Sequence, residues 1–260
     1  MIDLHAHILP KLDSSANSVK EAENLVLTAM EDGIHTVVCS PRMGPMSQWS
    51  IPAIRKRFFR FYTHIQEAGY PITLKLGADI DFHENLLSSM ESGNYLTINN
   101  SRYFLLRLTK ETVPAQLENE IEACINKGFV PIITHPERLT WISHHYHRIV
   151  SLVKKGAWLQ ITGDSLTGHL GRLPKYWSER LLDEGWVSVI ASDAHAAEKR
   201  EASLSEAFNR AIRMVGEKEA EQMVELRPMG VLDNQAPEDI CAPLALNELQ
   251  RHARIVSIYT

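Results

Sequence analysis

The sequence predicts an α/β fold built on a parallel sheet, and three observations point to it. Strand-like apolar runs alternate with helix-like periodic segments through most of the 260 residues. The strand-like runs are nearly continuous in apolar residues, as strands covered by helices require. No glycine-rich phosphate loop follows the first strand, so a barrel is favoured over an open doubly wound sheet.

The elements follow in order. At the start, Ile2 and Leu4 alternate with other residues, and His5 and His7, two apart on a strand, project to one side. Ser18 to Gly33 places Ala22, Leu25, Val26, Ala29 and Met30 on one helical face, with Gly33 as the stop. Thr36 to Ser40 is a β-branched strand, Ile51 to Ala68 a helix, and Thr73 to Ile80 a strand interrupted by Gly77. Asn85 to Ser92 is a short helix, Tyr103 to Leu108 the fourth strand, and Pro114 to Lys127 a helix stopped by Gly128. Val130 to His135 is the fifth strand, followed by a helix over His147 to Lys155. A strand at Trp158 to Thr162, a helix over Pro174 to Glu184 and a seventh strand at Val187 to Ala191 come next. Arg200 to Val215 is the last clear helix, with Glu217 to Val224 continuing it. Strands each followed by a helix imply right-handed crossovers. Residues 1–234 make one barrel domain, and 235–260, with Pro237, Pro243 and many polar residues, form a tail without an assigned role.

A hydrophobic content of 44% supplies a substantial core for a chain of this length. A net charge of -5 with the two signs mixed gives no basic stripe for nucleic acid. No apolar run is long enough to span a membrane, and no basic-then-apolar leader opens the chain. Cys39, Cys124 and Cys241 are odd in number and far apart, which reads as free thiols in a reducing, cytoplasmic setting. None is followed six residues on by the arginine of a cysteine-dependent phosphatase loop.

In parallel barrels the chemistry gathers at the C-terminal ends of strands. Those ends carry His5 and His7, Ser40-Pro41-Arg42, Gly77-Ala78-Asp79, Arg107, His135-Pro136-Glu137-Arg138, Thr162-Gly163-Asp164-Ser165, and Ser192-Asp193-Ala194-His195. Imidazoles and carboxylates recurring at four ends point to a divalent-metal site.

His5-Ala6-His7-Ile8-Leu9-Pro10, Gly77-Ala78-Asp79-Ile80, His135-Pro136-Glu137-Arg138 and Ser192-Asp193-Ala194-His195, together with Asn99, Arg102-Tyr103 and Gln160-Ile161-Thr162, resemble the polymerase-and-histidinol-phosphatase family. They resemble more closely its bacterial protein-tyrosine phosphatase branch, which serves capsule and exopolysaccharide synthesis. The resemblance implies a distorted seven-stranded, TIM-like (β/α)7 barrel and a cluster of divalent metals, often manganese, with iron, zinc or magnesium as alternatives. It also implies hydrolysis of phosphotyrosine on a partner tyrosine kinase. A homo-oligomer is compatible with it.

The sequence departs from that family at Ser14, Arg42 and Arg107, where the branch carries Asp, His and Glu, and at Asp79, where it carries Glu. Arginine has no lone pair to offer a metal. By this analogy His5, His7, Asp79 and Asp193 keep one complete site. A second keeps Asp79 and His135 but loses its carboxylate to Arg107, and a third keeps His195 while losing Ser14 and Arg42. One ion or two are expected, activating water while Arg138, Arg200 and Arg42 hold phosphate oxygens, with His135 and His195 as further ligands or proton carriers. Arg42 and Arg107 either attract phosphate or pair with Asp13, Asp79 or Asp193 and fill vacated positions.

Two other readings stand beside the phosphatase: a pseudoenzyme that binds phosphotyrosine or a kinase tail without turnover, and an amidohydrolase-like hydrolase, which also begins with His-x-His. His144, His145 and His147 read as a polar loop entering a helix. Trp49 and Trp141 are placed at the active end, flanking a phenyl ring or packing at its rim.

Overall fold

The computed structural model describes residues 1–12, 16–196, 200–247 and 249. Its strands are β1 (Ile2–His7), β2 (Thr36–Cys39), β3 (Arg42–Met43), β4 (Thr73–Leu76), β5 (Asp79–Asp81), β6 (Tyr103–Arg107), β7 (Val130–Thr134), β8 (Trp158–Thr162), β9 (Val189–Ala191) and β10 (Ala194–His195). They pair in parallel in two sheets, ordered β10-β1-β2-β4 and β3-β5-β6-β7-β8-β9. The α/β class and the parallel pairing match the sequence expectation. The single closed ladder of seven strands does not appear, because the expected third strand is split into β4 and β5, and the second and seventh are continued, after a break, by the short strands β3 and β10.

Each break has a local cause. Pro41 has no N–H to continue the second strand. At Gly77 a Cβ would lie 3.0 Å from Val38 Cγ1. Asp193 takes a left-handed φ of 51° between β9 and β10. The two halves of each split strand then pair with different neighbours, β2 with β1 and β4 but β3 with β5.

β1 carries an irregularity with functional weight. Asp3 pairs with Val37 and Ala6 with Cys39, so β1 spends one more residue than β2 over that interval. Such a bulge re-aims side chains. Leu4 accordingly joins an apolar cluster with Val38, Leu105, Ile132 and Val189, while the adjacent His5 also turns toward β8.

The helices are α1 (Val19–Glu31), α2 (Ile51–Glu67), α3 (Leu86–Glu91), α4 (Leu117–Asn126), α5 (Ile142–Lys154), α6 (Gly163–Thr167), α7 (Arg172–Asp183), α8 (Ser205–Val215), α9 (Glu217–Glu221) and α10 (Arg227–Leu232). The Ser18 hydroxyl accepts from Glu21 N at 3.1 Å and caps α1. α5 begins at Ile142 rather than His147, so His144, His145 and His147 ride on a helix and not in a loop before it. α8 begins at Ser205 rather than Arg200. Arg200 instead exchanges backbone hydrogen bonds with His195, while Asp32 at the end of α1 accepts from Ser205 N at 2.9 Å. Among the described residues no helix is long and apolar enough to cross a membrane.

Residues 235–247 are tied to the domain: Ile240 is buried, and Ala245 N donates to Gly185 O at 3.1 Å. The positions 248 and 250–260 of the expected tail lie outside the described residues.

Candidate metal and phosphate site

His5 and His7 leave the end of β1 fully buried, with Nε2 atoms 3.1 Å apart. The Gln160 amide nitrogen donates to Ile161 O at 3.0 Å, which turns its oxygen toward β1. His5 Nδ1–H therefore donates to Gln160 Oε1 at 2.8 Å, leaving Nε2 as a lone pair aimed at His7 and Asp193. Asp193 Oδ1 lies 3.6 Å from both Nε2 atoms. One ligand atom from each of His5, His7 and Asp193 fits within a 4.8 Å span. Burial, with His195 and His5 nearby, pushes the His7 imidazolium well down, so the ring is neutral and its lone pair available.

Asp193 faces two ways. Its Oδ2 accepts from Arg138 Nη1 at 2.7 Å and from Arg200 Nη1. Burial alone would raise the carboxyl, but the surrounding imidazoles and the Arg200 guanidinium outweigh that and hold it well below the usual carboxylate range. It is an anion with one oxygen on the imidazole pair and the other on two guanidinium groups.

Asp79 is buried at the start of β5, its Oδ2 3.9 Å from His5 Nε2 and without a hydrogen-bond partner. Burial pushes its carboxyl up against the lowering influence of His5 and Arg107. An orphaned carboxylate oxygen beside two imidazole lone pairs is the environment a divalent cation relieves, so the residues present fit such an ion. Asp79 stands outside the compact His5–His7–Asp193 group, as do His135 and His195.

Arg107 does not simply fill a vacated position on Asp79. Its Nε donates to Asp81 Oδ1 at 2.8 Å and Nη2 closes on the same oxygen, while Asp79 Oδ2 is 3.5 Å away. Arg42 is exposed and sits beside Asp79 in the β3–β5 register. Ser14 and Asp13 lie outside the described residues.

His135 follows β7 with a left-handed φ of 39°, and Asp193 has one of 51°. Such conformations cost roughly 1–3 kcal/mol each and are tolerated where the surroundings over-determine them. Burial holds the His135 imidazolium well below its usual range, so it is a neutral ring, suited to a ligand or base. His195 stacks near His7 with centroids 4.0 Å apart. Its Nδ1 is 2.9 Å from Asp193 O and 2.8 Å from Arg200 Nη2. A protonated Nδ1 donates to the carbonyl; a bare one accepts from the arginine. The two tautomers exclude each other.

These groups line a cavity of about 480 Å³ that holds Arg42, Arg107, Arg138 and Arg200 with Asp79, Asp193, His135 and His195. Cys39 and Cys124 are buried, their thiols pushed up by burial, Cys124 to about 12, which keeps both from acting as nucleophiles. Trp141 is buried with Nε1 donating to Thr109 O at 2.9 Å, and so packs rather than flanks a ligand.

The sequence reading missed Asp81, Asp3 and the work of Ser192. Asp3 is fully buried and accepts from His5 N at 3.2 Å, Ser192 N at 3.1 Å and the Ser192 hydroxyl, tying β1 to the turn that presents Asp193. The signal for Asp81 is present in Asp79-Ile80-Asp81, whose alternation places both carboxylates on one side. The same alternation sets Asp3 two residues before His5, but its partner Ser192 lies far away in the chain.

The family model for capsular polysaccharide synthesis, CpsB/CapC, matches residues 1–233. The tyrosine-protein phosphatase YwqE of Bacillus subtilis (strain 168) is 29% identical over 209 residues, 80% of this chain and 82% of that protein. The tyrosine-protein phosphatase CpsB of Streptococcus pneumoniae is 25% identical over 246 residues, 90% of this chain and 99% of that protein. A crystal structure from work on YwqE of Bacillus subtilis and CpsB of Streptococcus pneumoniae, described there as unique metal-dependent tyrosine phosphatases, shares the fold. Its TM-score is 0.85 at 28% identity, covering 90% of this chain and 95% of that one.

Proposed function

This chain belongs to the CpsB/CapC family of capsular polysaccharide synthesis, and from that membership we propose that it is a metal-dependent phosphatase of protein phosphotyrosine. The observation that carries the reading is Asp193, whose two oxygens join an imidazole pair suited to a metal to two arginines suited to phosphate. Its substrate in this reading is a tyrosine kinase of capsule or exopolysaccharide synthesis, and the cytoplasm its setting. Residues 1–234 form the catalytic unit. We read the two sheets as one distorted seven-staved barrel, since the split strands step from one sheet to the other.

His5, His7, Asp79 and Asp193 hold the metal, with His135 completing or extending the site. A divalent ion, manganese in this proposal, supplies Lewis acidity and positive charge beside the phosphoryl group. The chain supplies orientation. Gln160 fixes the His5 lone pair, and Asp3 fixes the turn at Ser192. Arg138 and Arg200 are held ready on Asp193 Oδ2, and their planar forks match phosphate oxygens. When Arg200 donates to His195 Nδ1, the proton of that ring sits on Nε2, available to the leaving phenolic oxygen.

The pseudoenzyme reading draws on one observation: Arg107 is forked onto Asp81, a fixed cation where the resemblance implies a carboxylate ligand. Metal analysis run beside release of phosphate from a phosphotyrosine peptide separates the two readings. Chelation and His7→Ala are expected to abolish release, and manganese to restore it in the chelated parent. Undiminished release by exhaustively chelated protein would overturn the metal mechanism. Bound metal without turnover would favour the pseudoenzyme.

A further inference from the structure

A second surface leads away from the cavity mouth and carries a different chemistry. Trp49, in the loop before α2, borders both the rim formed with Arg42, Arg107 and Asp81 and a groove of about 520 Å³ against α2. Phe61 and Trp49 give that groove apolar walls, and Lys11, Lys56, Arg57 and Arg60 surround it. Arg57 lies 4.5 Å over the Trp49 ring.

The cations are not balanced on their own helix. Arg55, Lys56, Arg57 and Arg60 crowd its first three turns, and its one acid, Glu67, closes it. His64, which lines the groove, has Nε2 3.4 Å from Glu23 Oε2. A local positive field in a chain of net charge -5 selects anionic partners and raises their encounter rate. Its aromatic walls suit a polypeptide, and Trp49 joins it to the rim pocket, which in turn shares Arg42, Asp81 and Arg107 with the main cavity, giving an extended peptide a path from one to the other.

We propose that this groove docks an acidic stretch of the substrate polypeptide adjoining its phosphotyrosine, so that acidic-flanked phosphotyrosines are preferred over neutral ones. The proposal rests on the phosphatase reading of the mouth for its direction, but the docking itself does not require turnover.

The test uses two fluorescein-labelled tyrosine peptides of equal length, one flanked by glutamates and one by glutamines, each with and without the phosphate. Anisotropy on the full chain reads binding, and phosphate release reads turnover, with p-nitrophenyl phosphate as the unflanked control. Lys56 and Arg60 are exposed, so Lys56→Glu/Arg60→Glu leaves the core untouched, and Lys56→Gln/Arg60→Gln serves as the milder second variant. The unphosphorylated acidic peptide is expected to bind the parent more tightly than the neutral one. That preference should fall roughly three- to tenfold in the variants, the scale of two exposed ion pairs, with p-nitrophenyl phosphate turnover unchanged. Equal affinity for the two peptides in the parent, or a preference that survives both variants, would overturn the proposal. So would an oligonucleotide or anionic vesicles that displace the acidic peptide with equal potency. Acidic preference in binding with no release from either phosphopeptide would sustain the groove and sink the phosphatase.

Discussion

Arg227 and Arg138 carry the same guanidinium into opposite surroundings. Arg227 is 0% exposed, and its partners are fixed parts of the chain. Nε donates to Cys241 O at 2.7 Å, while Nη2 donates to Glu219 Oε1 at 2.8 Å and Ala242 O at 2.9 Å. Those carbonyls belong to the segment after α10, so the arginine staples that segment to the domain. Arg138, by contrast, keeps 27% of its side chain exposed at the cavity and shares a single carboxylate oxygen with Arg200. A guanidinium saturated by carbonyls is committed to structure. One that shares an anion at the edge of a cavity keeps an open side toward that cavity, as the proposed phosphate contact requires.

The contrast breaks most visibly at Arg227. Arg227→Met removes those hydrogen bonds and leaves Glu219, already pushed up by burial, without its counter-ion. A loss of about 3–5 kcal/mol in urea-unfolding stability is expected, the range for breaking a buried pair from one side. A loss below 1 kcal/mol would show that the pair is not committed to structure.

The mouth should respond to ligand instead. Manganese at about a hundredfold over its dissociation constant is expected to stabilise the parent by roughly 2.7 kcal/mol and His5→Ala not at all, read by thermal unfolding. Equal stabilisation of both would place the metal elsewhere.

Arg138→Ala sharpens the comparison from the other side. It is expected to weaken vanadate binding by about 1–3 kcal/mol, measured by calorimetry, while moving stability much less than Arg227→Met does. A stability loss equal to that of Arg227→Met, with vanadate binding intact, would erase the distinction.

The smallest effect belongs to an arginine of the helical surface. Arg148 donates to both oxygens of Glu118 at 2.5 and 2.6 Å and thereby holds that carboxyl below its ordinary 4.5. The unfolded chain then binds more protons than the folded one, so this contribution is present above 4.5 and fades as pH falls through the lowered value. Arg148→Gln should cost at most about 1 kcal/mol at neutral pH, with parent and variant converging in acid. A gap that widens on acidification would refute the assignment.

Much of the site was legible because it obeys local rules. Two-residue alternation placed His5 and His7 together, the strand-end rule picked out Asp79, His135, Arg138 and Asp193, and the family resemblance added Arg200, all five of which line one cavity. The rest depends on partners far apart in the chain. Asp81 claims Arg107 across 26 residues, Gln160 orients His5 across 155, and Asp3 reaches Ser192 across 189.

The sequence by itself determined the α/β class, the order of strands and helices, and which residue types stand at the strand ends. Periodicity is written in steric relations between near neighbours. Only the tertiary structure decided where the strands break, which way the β1 bulge turns His5, and that Arg138 and Arg200 meet on one oxygen of Asp193. A one-residue bulge or a single left-handed φ re-aims every side chain beyond it, and long-range packing selects which such local forms persist.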